Sequence, residues 1–314
     1  MKSTVFLLSL SLWAIGSAAA QGPAAAALQD SPSRPCDPKK GFAMTTGRDN
    51  RDVWKARIAA LHVSWHYSWG AQLPGAEPPG VQFVPMIWGY WGAGPNFLKG
   101  IDELSAEASA GTAKCLLGFN EPDHKDQANL PVARALEGWP YLMKTGLRLG
   151  SPAPAQPDGP WMQAFMAGAK AKGYRIDFVC IHSYGGPNVA ALVNRLRKIH
   201  TLYGKPLWIT EFAVADWKAK SPQENRYSPA VVLRFMKAVL PALDKLDFVE
   251  RYAWFSGSPD SGPLASSALF KKDGTLTELG RFYASYPSAV APATGTEGHA
   301  PARRQSPPDS GQTR

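Results

Sequence analysis

Two glutamates stand at the ends of short apolar runs: Glu121 in LLGFNEPDHKDQ (116 to 127) and Glu211 in PLWITEF (206 to 212). A strand that breaks into Asn120, Glu121, Pro122 and Asp123 holds an amide and a carboxylate side by side, with the following proline narrowing the glutamate's backbone choices. Cleaving a glycosidic bond needs one carboxylic acid to protonate the leaving oxygen and one carboxylate on the opposite face of the sugar. A retaining mechanism sets them about 5 to 5.5 Å apart. Either glutamate alone would read as a salt bridge or an exposed strand end. Two of them, ninety residues apart, can meet that geometry if both close strands of one sheet.

The neighbouring residues suit the same chemistry. Asn120 is placed to hydrogen-bond a sugar 2-OH, a contact that strengthens as positive charge develops on the ring, although an asparagine there also stabilises a turn. In FVCIHSYG (178 to 185), His182 and Tyr184 share strand parity and point to one side. Tyr184 could hold Glu211 ionised and oriented; His182 could order the carboxylates, contact sugar or sit satisfied in the core. Trp65, Tyr67 and Trp69 alternate on one run, Trp88, Tyr90 and Trp91 follow the next, Trp161 comes after the fifth and Trp254 ends the eighth. Flat rings stack on the C–H faces of sugars, and Trp254 is expected beneath the ring being cleaved; core packing is the competing use. Asp123, Gln127 and Asn129 line the groove or cap a helix, and Asp216 with Trp217 borders the cleft or lies in a solvated loop. No glycine-rich phosphate loop, GxSxG elbow or HExxH pair occurs, and no cofactor or metal is implied.

These residues need a scaffold that gathers strand ends. Eight apolar runs supply it: 41 to 45, 61 to 69, 81 to 88, 115 to 122, 148 to 154, 178 to 185, 206 to 212 and 249 to 257. Between them lie DELSAEASAGTA, ARALEGWPYLMKTG, WMQAFMAGAKAKG, VAALVNRLRKIHTLYG and SPAVVLRFMKAVLPALDKL, each with apolar residues at helical spacing. Ser228 with Pro229 forms an N-cap and N1 pair, and Gly173 and Gly204 sit where helices stop. Strands alternating with helices predict an α/β fold, a single compact (β/α)8 TIM barrel with some shortened or missing helices, the short loops beside the second and third strands leaving little room for one.

The chain of 314 residues accommodates such a barrel in one domain, 39–287. Residues 1–20 (MKSTVFLLSLSLWAIGSAAA) read as a secretory signal peptide, too short in its apolar run for a membrane anchor, so a secreted protein, extracellular or periplasmic, is expected. Residues 21–38 and 288–314 are rich in Ala, Pro, Ser, Gly and Gln and are expected to be a flexible lead-in and a disordered tail. Three cysteines exclude a disulfide framework; Cys115 and Cys180 read as small core residues, while Cys36 lies in the lead-in. The net charge of +9 is scattered without a basic helix, which argues against nucleic acid as a partner.

GFNEPD followed by Gln127 and Asn129, GSPAP with Trp161 downstream, IHSYG, PLWITEF, VSWHYSW and FVPMIWG, in that combination, resemble glycoside hydrolase family 128, β-1,3-glucanases of clan A. The resemblance covers about 39 to 287. It implies a (β/α)8 barrel, retention of anomeric configuration and β-1,3-glucan as partner, with Glu121 as acid/base and Glu211 as nucleophile; endo action and a monomer are the accompanying expectations. GFAMT, and HYSW in place of a Tyr-Asn-Trp ending, depart from the family's pattern near the sugar-contacting rim. The acid/base role leads to an expectation that the negative charge of Glu211 raises the pKa of Glu121. A mannanase or xylanase of the same clan, or a non-catalytic β-glucan-binding protein, are the alternative readings.

Overall fold

The computed structural model describes residues 39–46 and 53–286, all within one compact unit, 36–314. The predicted signal peptide, lead-in and tail, together with Cys36, lie outside the described residues. Eight strands follow in chain order: β1 (Lys40–Ala43), β2 (Trp65–Tyr67), β3 (Gln82–Phe83), β4 (Cys115–Leu116), β5 (Arg148–Leu149), β6 (Val179–Gly185), β7 (Leu207–Val214) and β8 (Val249–Phe255). The five expected helical stretches fold as α2 (Pro95–Ala110), α3 (Val132–Lys144), α4 (Pro160–Ala171), α5 (Val189–Tyr203) and α6 (Pro229–Asp244). Two more helices appear, α1 (Val53–Leu61) and α7 (Glu278–Ser285), and none separates β2 from β3. The Ser228 side chain accepts from the Val231 N–H at the start of α6, with Pro229 inside it, and Gly204 closes α5 in the left-handed conformation.

Every strand pairing is parallel, as strands joined by crossover helices require. The closed eight-stranded ladder of a full barrel is not what forms. Six strands make one sheet in the order β3-β2-β1-β8-β7-β6, and β4 pairs with β5 alone. Single bridges span the two junctions, Met86 to Leu117 and Gly150 to Phe178. Pro85 and Pro152 have no N–H to give to a ladder, which limits pairing at these points.

Side-chain alternation divides the core in two. Leu116 and Phe119 face the cluster beneath the helices, whereas Cys115 and Leu117 join an inner cluster with Trp65, Tyr67, Phe178, Cys180 and Trp208. Cys115 and Cys180 are buried free thiols, as expected. Near the amino ends of the strands, the Arg251 guanidinium lies 4.4 Å from the Trp208 ring centre and 5.2 Å from that of Trp65. Trp208 stacks on Phe178 at 4.1 Å and donates its indole N–H to Glu250 at 2.8 Å. Glu250 in turn accepts both arms of Arg148, at 2.6 and 2.7 Å. At the other seam, the Lys40 ammonium donates to the Tyr283 and Tyr286 carbonyls, and the Tyr283 hydroxyl donates to the Gly41 carbonyl.

Glu250→Ala leaves Arg148 without its forked partner and the Trp208 N–H without its acceptor. Urea unfolding of that variant is expected to show a loss of about 3 to 5 kcal/mol.

Candidate active site

Glu121 reaches its position through an extended segment beyond β4, where Asn120 bridges to Ala153 and the Glu121 N–H donates to the Ala153 carbonyl at 2.9 Å. Gly118 lets this segment run against Ser151 and Pro152, whose backbone atoms would lie only 2.9 Å from an added Cβ. Glu121 itself sits at φ 38°, in the left-handed region that a non-glycine residue occupies at a cost. Asp123 accepts from the Ala155 and Gln156 N–H groups at 2.7 and 3.0 Å, tying this turn to the segment after β5. Asn120 donates to Gln127 at 3.2 Å, so amide and groove residue are held together.

Glu211 enters from β7 and is almost wholly buried, which requires its charge to be met by donors. Tyr67 and Trp69 each donate to Oε1 at 2.8 Å, and Tyr184 donates to Oε2. Burial, and next the Glu211 charge, push the Tyr67 and Tyr184 phenols well above their usual range, so both stay protonated donors. His182 lies between the glutamates. Its Nδ1 is 2.8 Å from Glu121 Oε1 and its Nε2 3.4 Å from Glu211 Oε1. The three side chains bring one ligand-type atom each within 4.8 Å of one another. They form the candidate metal-ligating group among the described residues, but Glu211 already accepts three hydrogen bonds and His182 Nδ1 faces Glu121. Within the trio His182 Nδ1 hydrogen-bonds to Glu121, whereas the buried Nε2 makes no hydrogen bond among the described residues.

The expected upward shift of Glu121 is not what the site produces. Burial pushes its carboxyl up, yet the His182 hydrogen bond and charge, aided by His124, pull it below the ordinary carboxylate value. Burial likewise disfavours charge on His182, but Glu211 and Glu121 outweigh it and hold the imidazolium above the usual 6.5. Both shifts favour a proton on His182 over one on Glu121.

These groups open into a cavity of about 730 Å³ rimmed by Trp69, Trp88, Trp217 and Phe255, with Gln127, Gln156 and Arg195 among its polar lining. Glu121, Glu211, Asn120, His182, Tyr184, Trp88 and Gln127 all line this cavity. Tyr67 does not line it but reaches Glu211 from below. Three predicted sugar contacts are corrected. Trp254 is fully buried on the helix side, edge-on to Phe212 at 5.0 Å and donating to the Ser267 carbonyl; its neighbour Phe255 takes the cavity-facing place. Residues 252 to 255 of β8 alternate regularly, Tyr252 and Trp254 toward the helix-side cluster and Ala253 and Phe255 toward the inner one. Trp65 is buried in the inner cluster, 5.4 Å from Trp208, because it starts a row that only reaches the cavity at Trp69. Trp161 stacks on Phe165 at 5.5 Å and donates to the Leu130 carbonyl, sealing the side of α4. Trp217 borders the cavity, whereas the buried Asp216 accepts from Lys218 and Arg226 N–H groups and shapes the loop. Phe255 and Arg195 were missed; spacing could have pointed to Phe255, but nothing in α5 distinguishes Arg195.

Paired carboxylates, Glu121 beyond β4 and Glu211 in the carboxyl half of β7, with aromatic walls around them, define a protein of the glycoside hydrolase type. The sequence profile of the glycosyl hydrolase catalytic core matches residues 41–283. A subgroup I family 128 endo-β-1,3-glucanase from Amycolatopsis mediterranei, solved with laminaripentaose, is 34% identical, with a TM-score of 0.66 over 79% of this chain and 99% of that one. A subgroup II endo-β-1,3-glucanase from Sorangium cellulosum is 31% identical, with a TM-score of 0.64 over 80% and 100%. Alkali-sensitive linkage protein 1 of Schizosaccharomyces pombe is 29% identical over 79% of this chain; the match spans 44% of that longer protein. A subgroup VII oligosaccharide-binding protein from Trichoderma gamsii, 23% identical with a TM-score of 0.59 over 80% and 93%, shares the fold. The chain belongs to the glycosyl hydrolase catalytic core family, and within it to glycoside hydrolase family 128.

The reassignment of Trp254 to the core has a direct test. Trp254→Ala is expected to lose about 3 to 5 kcal/mol in urea unfolding, while Trp217→Ala, at a side chain that is largely exposed, stays within about 0.5 kcal/mol of the parent.

Proposed function

We propose that the protein is a secreted, retaining endo-β-1,3-glucanase built on a (β/α)8 barrel whose third, fourth and fifth strands are reduced to two residues each. The observation that carries this reading is Glu211, fixed by three donors and linked through His182 to Glu121 inside an aromatic-walled cavity. The glucan specificity draws support from the two endo-β-1,3-glucanase relatives. Oxygens of the two carboxylates within 4.8 Å of each other support retention, since inversion needs carboxyl groups about 6.5 to 9.5 Å apart to admit a water.

In the first step a Glu211 oxygen bonds to the anomeric carbon while the bond to the leaving oxygen breaks. Glu121 delivers a proton to that oxygen. The proton comes from His182 Nδ1 along the 2.8 Å hydrogen bond, so a carboxyl held ionised at rest becomes the acid when sugar displaces water and raises the cost of its charge. Water then gives a proton to Glu121 and attacks the same carbon, freeing Glu211 and restoring the original configuration. Asn120 steadies the sugar 2-OH, and Trp69, Trp88 and Phe255 supply stacking faces.

Purified protein is expected to release short oligosaccharides of retained configuration from linear β-1,3-glucan, and not from mannan, xylan or cellulose. Glu211→Gln should abolish release; full activity in that variant, or cleavage of another polymer alone, overturns the assignment. Binding of laminari-oligosaccharides without any products would instead favour an oligosaccharide-binding role.

A pH profile tests the proton path. With the proton resting on His182, the alkaline limb of kcat/KM follows a group titrating above 6.5. His182→Gln leaves Glu121 as the sole holder of that proton, and a carboxyl loses it at lower pH than the raised imidazole. The alkaline limb is expected to move toward acid, and an unmoved limb rules the path out.

A further inference from the structure

A second cavity, of about 520 Å³, adjoins the catalytic one and shares Thr45, Trp69 and Phe255 with it. The Trp69 and Phe255 rings, edge-on at 5.9 Å, stand at the boundary, with catalytic carboxylates on one side and a different chemistry on the other. There Arg57, Lys271 and Lys272 face a single carboxylate, Asp260. The Arg57 guanidinium lies 5.2 Å from the Phe270 ring centre, and its buried Nε has no hydrogen-bond partner among the described residues. Lys271 and Lys272 lead out of a fixed turn, in which the Lys271 N–H donates to the Thr275 carbonyl and Gly274 takes φ 83°. The ion pair of Lys272 with Asp260, at 2.6 Å, joins two largely exposed side chains and is easily exchanged for another anion. A third concavity, of about 570 Å³, begins where this one ends and shares Pro259, Lys271 and Lys272 with it.

The run from catalytic cavity to cationic cavity to a third concavity suits a polymer that continues past the reacting bond. We infer that the groove leaving the active site over Trp69 and Phe255 is a binding site for β-glucan chains whose hydroxyls carry anionic substituents, carboxylate or phosphate. The inference rests on the glucanase reading for the identity of the chain, and on Arg57, Lys271 and Lys272 for its charge. Aromatic rings meet the sugar faces, and the cations meet groups projecting from the chain's edge.

The test compares β-1,3-glucan, neutral or lightly carboxymethylated or phosphorylated, at matched length. KM is expected to be roughly five- to tenfold lower for at least one substituted polymer at low ionic strength, with the two polyanions distinguishing carboxylate from phosphate. The difference should vanish near about 0.5 M salt, and in a Lys271→Gln, Lys272→Gln double variant. Because both lysines are exposed, that variant is expected to fold. Calorimetry on Glu211→Gln gives the same comparison without turnover, so a retained affinity difference with no hydrolysis by the parent sinks the glucanase reading and keeps this site. Equal KM values and equal affinities for neutral and substituted glucan overturn it. So does equal binding of carboxymethylated cellulose, which would reduce the effect to general attraction by a basic protein.

Discussion

A buried carboxylate must be surrounded by donors, and Glu211 imposes that demand on three strands at once. Tyr67 and Trp69 come from β2 and the segment after it, Tyr184 from β6, and Glu211 from β7. These elements are far apart in the chain and meet only if the parallel order is correct. The row Trp65, Tyr67, Trp69 shows how the demand reaches into the core: the rings lie 6.2 and 5.2 Å apart in sequence, so the donor at Glu211 is braced from beneath by Trp65, itself packed against Trp208. A ring that fills the interior and a ring that faces the cavity are parts of one stack.

Glu121 is held by different means. Its side chain meets one imidazole rather than three fixed donors, and its backbone is set by the turn through Asp123 and the approach at Gly118. That contrast matches what the proposed mechanism asks of each group. The charge on Glu211 has to persist until it becomes a bond, so it is pinned by donors that cannot themselves ionise near neutrality. Glu121 has to gain and lose a proton, so its partner is the one side chain able to hold that proton nearby.

Much of this was legible in the sequence, because it depends on local pattern. The carboxylates at run ends, the His182 and Tyr184 parity, the five amphipathic helices and the Ser228 cap all follow from spacing of two or 3.6 residues. What escaped depends on which face and what depth each residue takes. Alternation along β8 puts Phe255 rather than Trp254 at the cavity, and depth along one strand sends Trp65 to the core though it shares a face with Trp69. The expected closed ladder assumed full-length strands, whereas β3, β4 and β5 have two residues each, with Pro85 and Pro152 soon after β3 and β5. The Glu121 carboxyl shifts down rather than up because His182, hydrogen-bonded to it, outweighs burial, a partnership that sequence spacing does not reveal.

The seam between β1 and β8 carries a consequence for how the chain is made. β1 pairs on one side with β2, close in sequence, and on the other with β8, two hundred residues later, while Lys40 donates to carbonyls at Tyr283 and Tyr286. A ribosome delivers the first strand long before its second neighbour or its latch exists. Until residue 286 is clear of the exit tunnel, that strand keeps an open edge and a lysine with nothing to hold. The sheet is thus completed only once residue 286 has emerged, and until then the growing polypeptide must be protected from pairing with strangers.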